Sequence, residues 1–278
     1  MSQEPPDLPT AAPPLPRVSP LLVSLFAAYT RWYLPRHLHA LRISQEGWQP
    51  TASATTARLV YLNHASWWDP LVCLQLQQRF FPTNPSYALI DAEALAKYRF
   101  FSRLGFIGVE KGRARGAMAF LHAAEAVVQQ PGAMLWITPQ ARFCDVRQRP
   151  LGFQRGLAHV ASRLARRFPQ GSVECVPLAL EYTHWEERTP EALVRFGEPF
   201  APHRVGRSDL DDASWNTEIE GRLAVELDAL ALQAQRRNPH EFSDLLRGRA
   251  GVGGVYDLWR RLRALLRREK FHPSHGSL

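Results

Sequence analysis

The 278-residue sequence contains few cysteines and no long apolar run. Its three cysteines, Cys73, Cys144 and Cys175, form no CxxC pair, which excludes a disulfide scaffold and a thiolate zinc site and indicates a reducing compartment. No stretch reaches the roughly 20 apolar residues of a membrane-spanning helix, because the longest candidate, residues 21–29, is soon followed by Arg31. We therefore expect a protein that stays in the cytosol or lies on a membrane surface.

Lysine is also scarce, since only Lys97, Lys111 and Lys270 occur among the 34 Lys and Arg residues. The formal net charge is +8. A basic excess suits nucleic acid, a membrane surface or an anionic substrate, and does not choose among them. The length allows one large domain or two small ones. With 45% hydrophobic and 22% charged residues, the composition is that of a folded domain, so wholesale disorder is excluded.

Strand and helix patterns alternate through the middle of the chain. Strands are predicted over residues 58–62, 87–90, 106–109, 133–138, 173–180 and 193–196. Helices are predicted over residues 71–80, 92–103, 114–129 and 154–167. This alternation is typical of an α/β fold with a mixed, largely parallel sheet flanked by helices.

The N-terminal flank has a different character. Residues 1–20 hold seven prolines and predict a disordered or extended Pro-rich tail. Residues 21–205 are the expected α/β domain, which opens with a helical segment at 20–43 that is interrupted at Pro35. The aromatic, Arg and His residues of this segment favour interfacial helices at a lipid surface, and a helix packed on the core fits as well.

The C-terminal flank, residues 206–278, predicts a helical extension. It contains a polar-faced helix at 214–237, a glycine-rich joint at 251–254 and a basic amphipathic helix at 255–270. The last helix carries an apolar stripe and six basic residues. That pattern fits either binding to an anionic membrane or docking on the protein's own domain.

The sharpest local pattern is the segment NHASWWDP at residues 63–70, between a predicted strand and a predicted helix. His64 can take up a proton near neutral pH, and Asp69 can accept a hydrogen bond from its Nδ1 and orient the ring. Five residues of regular helix turn a side chain by about 140°, so the pair meets only if His64 lies in the turn before the helix. Asp69-Pro70 also fits a helix cap followed by a first-turn proline.

Four segments in order resemble the signatures of the glycerolipid acyltransferases, the lysophosphatidic acid acyltransferase-like family. NHASWWD matches the family's N-H-x-S-x-x-D, and GFIGVEK at 105–111 resembles G-x-x-x-[IV]-D-R, with Glu110 for Asp and Lys111 for Arg. TPQARF at 138–143 resembles F-P-E-G-T-R, and VPL at 176–178 matches V-P-[VIL]. The resemblance covers roughly residues 55–185.

The resemblance implies an acyltransferase that moves a fatty acyl group from acyl-CoA or acyl-carrier protein to a hydroxyl of a lysophospholipid or glycerol-phosphate type acceptor. His64 is then the general base and Asp69 its orienting partner. The alcohol attacks the thioester directly, so Ser66 need not be a nucleophile and serves a turn or a helix start. Backbone N–H groups at the helix start stabilise the oxyanion in this scheme. No metal and no cofactor beyond the acyl donor is implied.

The same family positions imply substrate binding by six residues: Asn63, Ser66, Glu110, Lys111, Gln140 and Arg142. Lys111 supplies charge for an acceptor phosphate as the family's Arg does, or is a solvated loop cation. The third segment departs from the family, because Gln140 replaces Glu, Ala141 replaces Gly and Arg142 lies one position early. These departures leave open another lipid acceptor, such as a glycolipid, an aminolipid or a pigment.

Four arginines near the third segment form a basic cluster: Arg142, Arg147, Arg149 and Arg155. The cluster binds the phosphates of the acyl donor or of a lipid headgroup, or it is a solvated basic face. The sequence does not choose between these alternatives.

Two other protein classes compete with the acyltransferase. A nucleic-acid binder would use the arginines and the eight tryptophans, but the arginines are dispersed and no recognition motif occurs, so we expect no nucleic-acid partner. A non-catalytic membrane-surface protein would need neither His64 nor Asp69. We expect an acyl thioester donor, a lipid acceptor and an anionic membrane as partners, with the protein bound peripherally to the cytoplasmic face of the membrane.

Overall fold

The computed structural model describes residues 15–110, 114–167, 172–202 and 212–249. The strands are β1 (Ala40–Ser44), β2 (Ala57–Leu62), β3 (Ser86–Asp91), β4 (Phe106–Val109), β5 (Met134–Ile137), β6 (Val173–Thr183), β7 (Glu191–Phe196) and β8 (Phe242–Arg247). The α-helices are α1 (Pro20–His37), α2 (Asp69–Phe80), α3 (Ala92–Lys97), α4 (Ala114–Val128), α5 (Gly156–Arg167) and α6 (Asp212–Arg236). Short 3₁₀ helices span Arg99–Leu104 and Pro239–Glu241.

The strands form one sheet in the order β4-β3-β5-β2-β6-β7-β1-β8. The pairs β3–β4, β3–β5, β2–β5, β2–β6 and β1–β7 are parallel. The pairs β6–β7 and β1–β8 are antiparallel. The predicted mixed, largely parallel sheet flanked by helices is therefore confirmed. Because β2, β5 and β6 are parallel neighbours, the segments that follow them meet at one edge, which we call the carboxyl edge.

The core lies on both faces of the sheet, and the central strand β2 shows why. All six residues of β2 are buried. Leu59 and Tyr61 pack with α4, α5 and α6 on one face, whereas Val60 and Leu62 pack with α1 and α2 on the other. A strand covered on both faces is apolar throughout, which is the pattern that made this strand predictable.

The N-terminal region differs from the prediction in three ways. Residues 15–19 lie outside helix and strand but belong to the folded domain and not to a free tail, because Leu15 and Val18 pack against the core and the Ser19 side chain accepts a hydrogen bond at the start of α1. Helix α1 continues through Pro35 to His37, since a proline in the last turn removes only one helical hydrogen bond. Residues 40–43, predicted as helix, belong to strand β1, in which every residue is buried between β7 and β8.

The predicted helix at 92–103 is divided into α3 and the 3₁₀ helix Arg99–Leu104, which ends at Gly105. Gly105 has a φ of 95°, and a Cβ there would lie 2.4 Å from the Ser86 carbonyl oxygen. Only glycine fits such a position, which explains the first residue of the GFIGVEK segment.

The C-terminal extension is not wholly helical. Helix α6 matches the predicted helix at 214–237, but Phe242–Arg247 forms strand β8 against β1, and the sequence analysis predicted no strand there. The tail at 1–14, the joint at 251–254 and the basic helix at 255–270 lie outside the described residues. In the described ranges, every helix is too short or too polar to cross a bilayer.

Candidate active site

The NHASWWDP segment leaves β2 and enters α2 at the carboxyl edge. Asn63 is buried and ties this segment to β6, because its Nδ2 donates to the Leu180 carbonyl at 2.8 Å and its Oδ1 accepts from the Leu180 N–H at 2.9 Å. These two bonds extend the β2–β6 pairing by one residue. Asn63, predicted to bind substrate, thus uses its amide to hold the start of the turn in place.

The structure brings His64 and Asp69 together. His64 Nδ1 lies 2.7 Å from Asp69 Oδ2, with His64 in the turn and Asp69 at the first residue of α2, as the spacing required. Asp69 does not act as a side-chain cap, because the capping position is Trp68 and its side chain makes no cap hydrogen bond. The carboxylate instead faces backwards, into the turn that carries His64.

Asp69 is 1% exposed and is surrounded by donors. Oδ2 also accepts from the N–H groups of Ala65 at 2.9 Å and Ser66 at 3.1 Å, and Oδ1 accepts from the Tyr182 hydroxyl at 2.8 Å. These three donors are neutral. A buried carboxylate needs such bonds to stay charged, and neutral donors leave its full negative charge facing the imidazole.

The His64 ring is arranged to act as a base. Because a carboxylate only accepts hydrogen bonds, Nδ1 carries the proton toward Asp69 and Nε2 is the acceptor. The side chain is 21% exposed, and one of its faces contacts the Phe143 ring, with the centroids 4.3 Å apart. A substrate hydroxyl that reaches Nε2 can therefore give up its proton there.

The segment after β5 holds the backbone of His64 from the other side. Gln140 is 2% exposed; its Oε1 accepts from the His64 N–H at 2.8 Å and its Nε2 donates to the Leu151 carbonyl at 2.9 Å. The Cys144 N–H donates to the His64 carbonyl at 2.8 Å. Gln140, predicted to bind substrate, is thus a positioning residue, and the bond to Leu151 requires an amide because a carboxylate has no hydrogen to donate.

Ala141, which stands where the family pattern has glycine, has a φ of 54°. This is the left-handed region that disfavours side chains. Ala141 therefore adopts a backbone conformation that glycine would adopt freely, in the turn that brings Phe143 against the His64 ring.

Tyr182 is a residue of the site that the sequence analysis missed. Burial, and next the charge of Asp69, raise the pKa of its phenol well above the usual value, so the hydroxyl remains a donor to Asp69. Its ring packs against Trp68, with the centroids 5.6 Å apart. Tyr182 lies 113 residues from Asp69, and no local pattern links the two.

Four backbone N–H groups at the start of α2, where oxyanion donors are predicted, already have partners within the turn. The N–H groups of Ala65 and Ser66 are used by Asp69, that of Trp68 donates to Ser66 Oγ at 3.2 Å, and that of Asp69 donates to the Ser66 carbonyl at 3.2 Å. Ser66 Oγ therefore serves the turn, one of the roles expected for it.

The second family segment lies farther along the same edge. Glu110 is exposed and directly follows β4, and β3 and β5 separate β4 from β2. At about 4.8 Å between neighbouring strands, this places the ends of β4 and β2 roughly 14 Å apart. Lys111 lies outside the described residues.

The arginine cluster is only partly available to a ligand. Arg147 pairs with Asp145 at 2.7 Å, and Arg149 pairs with Asp228 of α6. All four arginines are exposed, and the structure distinguishes two whose charge a neighbouring carboxylate partly neutralises, Arg147 and Arg149, from Arg142 and Arg155.

A cavity of about 580 Å³ adjoins the His64–Asp69 pair. Ala65, Tyr182, the loop 144–149 and helix α6 line it. The cavity also contains the side chain of Glu181, a residue that the sequence analysis did not consider.

The chain was compared with known proteins. No family model and no curated protein matches it. Among solved structures, it is similar to the 1-acyl-sn-glycerophosphate (LPA) acyltransferase PlsC from Thermotoga maritima, with a TM-score of 0.50 and 14% identity over 76% of this chain and 79% of that one. The chain has an acyltransferase-like fold. At this identity the likeness concerns the fold, and the chemistry has to be argued from the side chains.

Proposed function

We propose that this protein is an acyltransferase that moves a fatty acyl group from an acyl thioester to a hydroxyl of a lysophospholipid or glycerol-phosphate type lipid. One observation carries the proposal. His64 is paired at 2.7 Å with a buried Asp69 whose other partners are all neutral donors, at the carboxyl edge of a sheet whose fold is acyltransferase-like.

In this mechanism His64 Nε2 takes the proton of the acceptor hydroxyl as the oxygen attacks the thioester carbonyl. The tetrahedral intermediate then expels the thiolate, which receives the proton back from His64. Asp69 stabilises the imidazolium that exists between the two steps. The acyl group passes directly from sulfur to oxygen, so neither Ser66 nor Cys144 needs to form an acyl-enzyme. The donor is acyl-CoA or acyl-carrier protein, and these steps use no metal or further cofactor.

The acceptor phosphate is assigned to Lys111, with Glu110 beside it, in keeping with their match to the second family segment. Lys111→Ala should then raise the KM for a phosphate-bearing acceptor far more than the KM for the acyl donor. An equal change for both substrates would mark Lys111 as a solvated loop cation.

The protein is further proposed to work on the surface of an anionic membrane, at its cytoplasmic face. Helix α1 buries Ala27, Thr30 and Leu34 against the domain and exposes an apolar and aromatic stripe of Leu21, Leu25, Tyr29 and Trp32. The end of α1 contacts the turn of the candidate site, because the His37 and Trp68 rings lie 6.4 Å apart. Such a stripe beside the site suits a lipid–water interface. Co-sedimentation with anionic vesicles, and its loss in Leu25→Glu, tests this.

The deciding experiment for the function uses the purified protein, labelled acyl-CoA or acyl-carrier protein, and a panel of monoacyl lipids, with products identified by mass spectrometry. We expect transfer to a lipid hydroxyl that disappears in a folded His64→Ala variant. No product from any acceptor, or equal product from the variant, would end the proposal.

A further inference from the structure

The cavity beside the candidate active site is lined by a glutamate, Glu181, one of whose carboxylate oxygens has no hydrogen-bond partner in the protein. Glu181 lies near the end of β6, and its Oε2 is buried without a partner. Burial raises the pKa of this carboxyl, and the charge of Arg147 lowers it by less. Buried polar atoms in folded proteins almost always have partners. Glu181 lines the cavity while its Oε2 is unsatisfied by the protein, so a turn of the carboxyl group toward a donor in the cavity would satisfy it.

The charges around the cavity sum to a negative excess. Asp145, Glu181 and Asp228 face two arginines, Arg147 and Arg149. Both arginines already have a carboxylate partner, since Arg147 pairs with Asp145 and Arg149 with Asp228. Among the described residues of the cavity lining, Glu181 is therefore the charge left over, and it favours a cationic group over an anionic one.

The position of the cavity connects this charge to the reaction. Ala65, next to His64, lines the same cavity, and so does Tyr182, which donates to Asp69. A molecule that occupies the cavity thus reaches the turn that carries the proposed base. Its volume of about 580 Å³ is that of a small-molecule site and is ample for a polar headgroup.

We propose that this cavity binds the headgroup of the acyl acceptor, and that Glu181 binds a protonated amino group of that headgroup. The inference rests on the proposed acyl transfer and narrows its acceptor to an amine-bearing monoacyl lipid. Because the phosphate and the amine of one headgroup are joined by only two carbons, while β4 and β6 are separated by β3, β5 and β2, it also moves the acceptor phosphate from Lys111 to this cavity. An unchanged acceptor KM in Lys111→Ala is then the expected result, and a selective rise in that KM contradicts the inference. An ammonium group donates up to three hydrogen bonds and carries the charge that the cavity lacks.

Two lipids that differ at this amino group test the proposal: short-chain lysophosphatidylethanolamine and its N-acetyl derivative, in which a small neutral amide replaces the ammonium. They share chain, glycerol and phosphate. Binding of each to the full-length protein is measured by calorimetry below the micelle concentration, and acyl transfer to each is measured with acyl-CoA. Glu181→Gln removes the charge at the cavity. Glu174→Gln is the matched control, because it makes the same change near the other end of β6, where Glu174 pairs with Arg58.

The wild-type protein and Glu174→Gln should bind the amine roughly tenfold to a hundredfold more tightly than the N-acetyl lipid, which is the range of a charge-assisted hydrogen bond. Glu181→Gln should bind both equally. Equal binding by the wild-type protein, binding of neither lipid, or a preference that survives in Glu181→Gln overturns the proposal. Because the wild-type comparison needs no variant, equal binding of the two lipids overturns the proposal even if Glu181→Gln fails to fold.

The two readouts separate this inference from the proposed function. Acyl transfer without a preference for the amine leaves the acyltransferase standing and removes the role of Glu181. A preference for the amine in binding, without transfer to any acceptor, leaves Glu181 as a residue that binds an amine and removes the proposed acyl transfer.

Discussion

The protein contains two histidine–carboxylate pairs at the same edge of its sheet, and they differ in what surrounds the carboxylate. His64 Nδ1 lies 2.7 Å from Asp69, and His39 Nδ1 lies 2.6 Å from Glu191. Glu191 begins β7 next to Thr183, where β6 ends, so both pairs lie near the end of β6. Distance alone does not distinguish them.

The other partners of the two carboxylates distinguish the pairs. Glu191 also accepts from Arg42 at 2.9 Å, and Arg42 in turn pairs with Asp244 of β8. The charge of Glu191 is therefore shared with a guanidinium, and the group ties β1, β7 and β8 together. Asp69 has only neutral donors beside His64. A carboxylate that is not already neutralised stabilises an imidazolium better, which is why we assign the base to His64 and a structural role to His39.

The largest difference in activity is expected between substitutions of the two histidines. We expect His64→Ala to lower acyl transfer by at least about 10²–10⁴-fold, because the general base is lost. His39→Ala should lower the melting temperature and leave kcat of the folded enzyme near the wild-type value. Steady-state rates, with circular dichroism to establish folding, check both variants. Similar losses of kcat in the two would mean that the pairs are not distinct.

The next largest difference in activity is expected between variants that remove the charge of Asp69 and of Glu191. Asp69→Asn should reduce kcat by about a hundredfold, because the neutral amide no longer stabilises the imidazolium and can hold the wrong tautomer. Glu191→Gln should instead weaken the sheet, because it leaves Arg42 with one carboxylate in place of two. Unfolding in denaturant and turnover below the unfolding transition measure the two effects. The comparison fails if Glu191→Gln costs more activity than Asp69→Asn.

The contribution of one neutral donor is tested by Tyr182→Phe. Loss of a hydrogen bond to the Asp69 charge should lower kcat about tenfold, which corresponds to roughly 1.4 kcal/mol. The KM for the acyl donor should change little. Tyr61→Phe is the control, because the Tyr61 hydroxyl donates to the Ile219 carbonyl at 3.2 Å, away from Asp69. A larger loss of kcat in the control would show that core packing, and not the donor, was measured.

The smallest change in activity is expected for Gln140→Glu, which restores the residue of the family pattern. The carboxylate still accepts from the His64 N–H but cannot donate to the Leu151 carbonyl, so the variant should lose about 1–3 kcal/mol of unfolding free energy and a few-fold in kcat. Gln129→Glu, at an exposed position after α4, should change neither. If Gln140→Glu proves as stable as the wild type, the Gln140 amide does not stabilise the protein by joining the His64 N–H to the Leu151 carbonyl.

Local patterns were enough to predict the order of most strands and helices and the meeting of His64 with Asp69. The order of elements was predictable because the apolar pattern of a strand or helix depends on residues a few positions apart. The pair was predictable because His64 and Asp69 lie in one turn between β2 and α2. The same local information failed at Phe242–Arg247, because this strand is half exposed and exists by pairing with β1, some 200 residues away. It also failed at residues 40–43, whose burial on both sides depends on β7 and β8.

The surroundings of the pair were decided by the tertiary structure. Tyr182 reaches Asp69 from 113 residues away, Gln140 reaches the His64 N–H from 76, and Asn63 reaches Leu180 across 117. Each contact exists because parallel strands bring their carboxyl ends to one edge, whatever their separation in sequence. The sequence by itself determined that His64 and Asp69 can meet in one turn as the proposed base and its carboxylate. The sheet decided which neutral donors surround that carboxylate, and which glutamate near it keeps an oxygen without a partner.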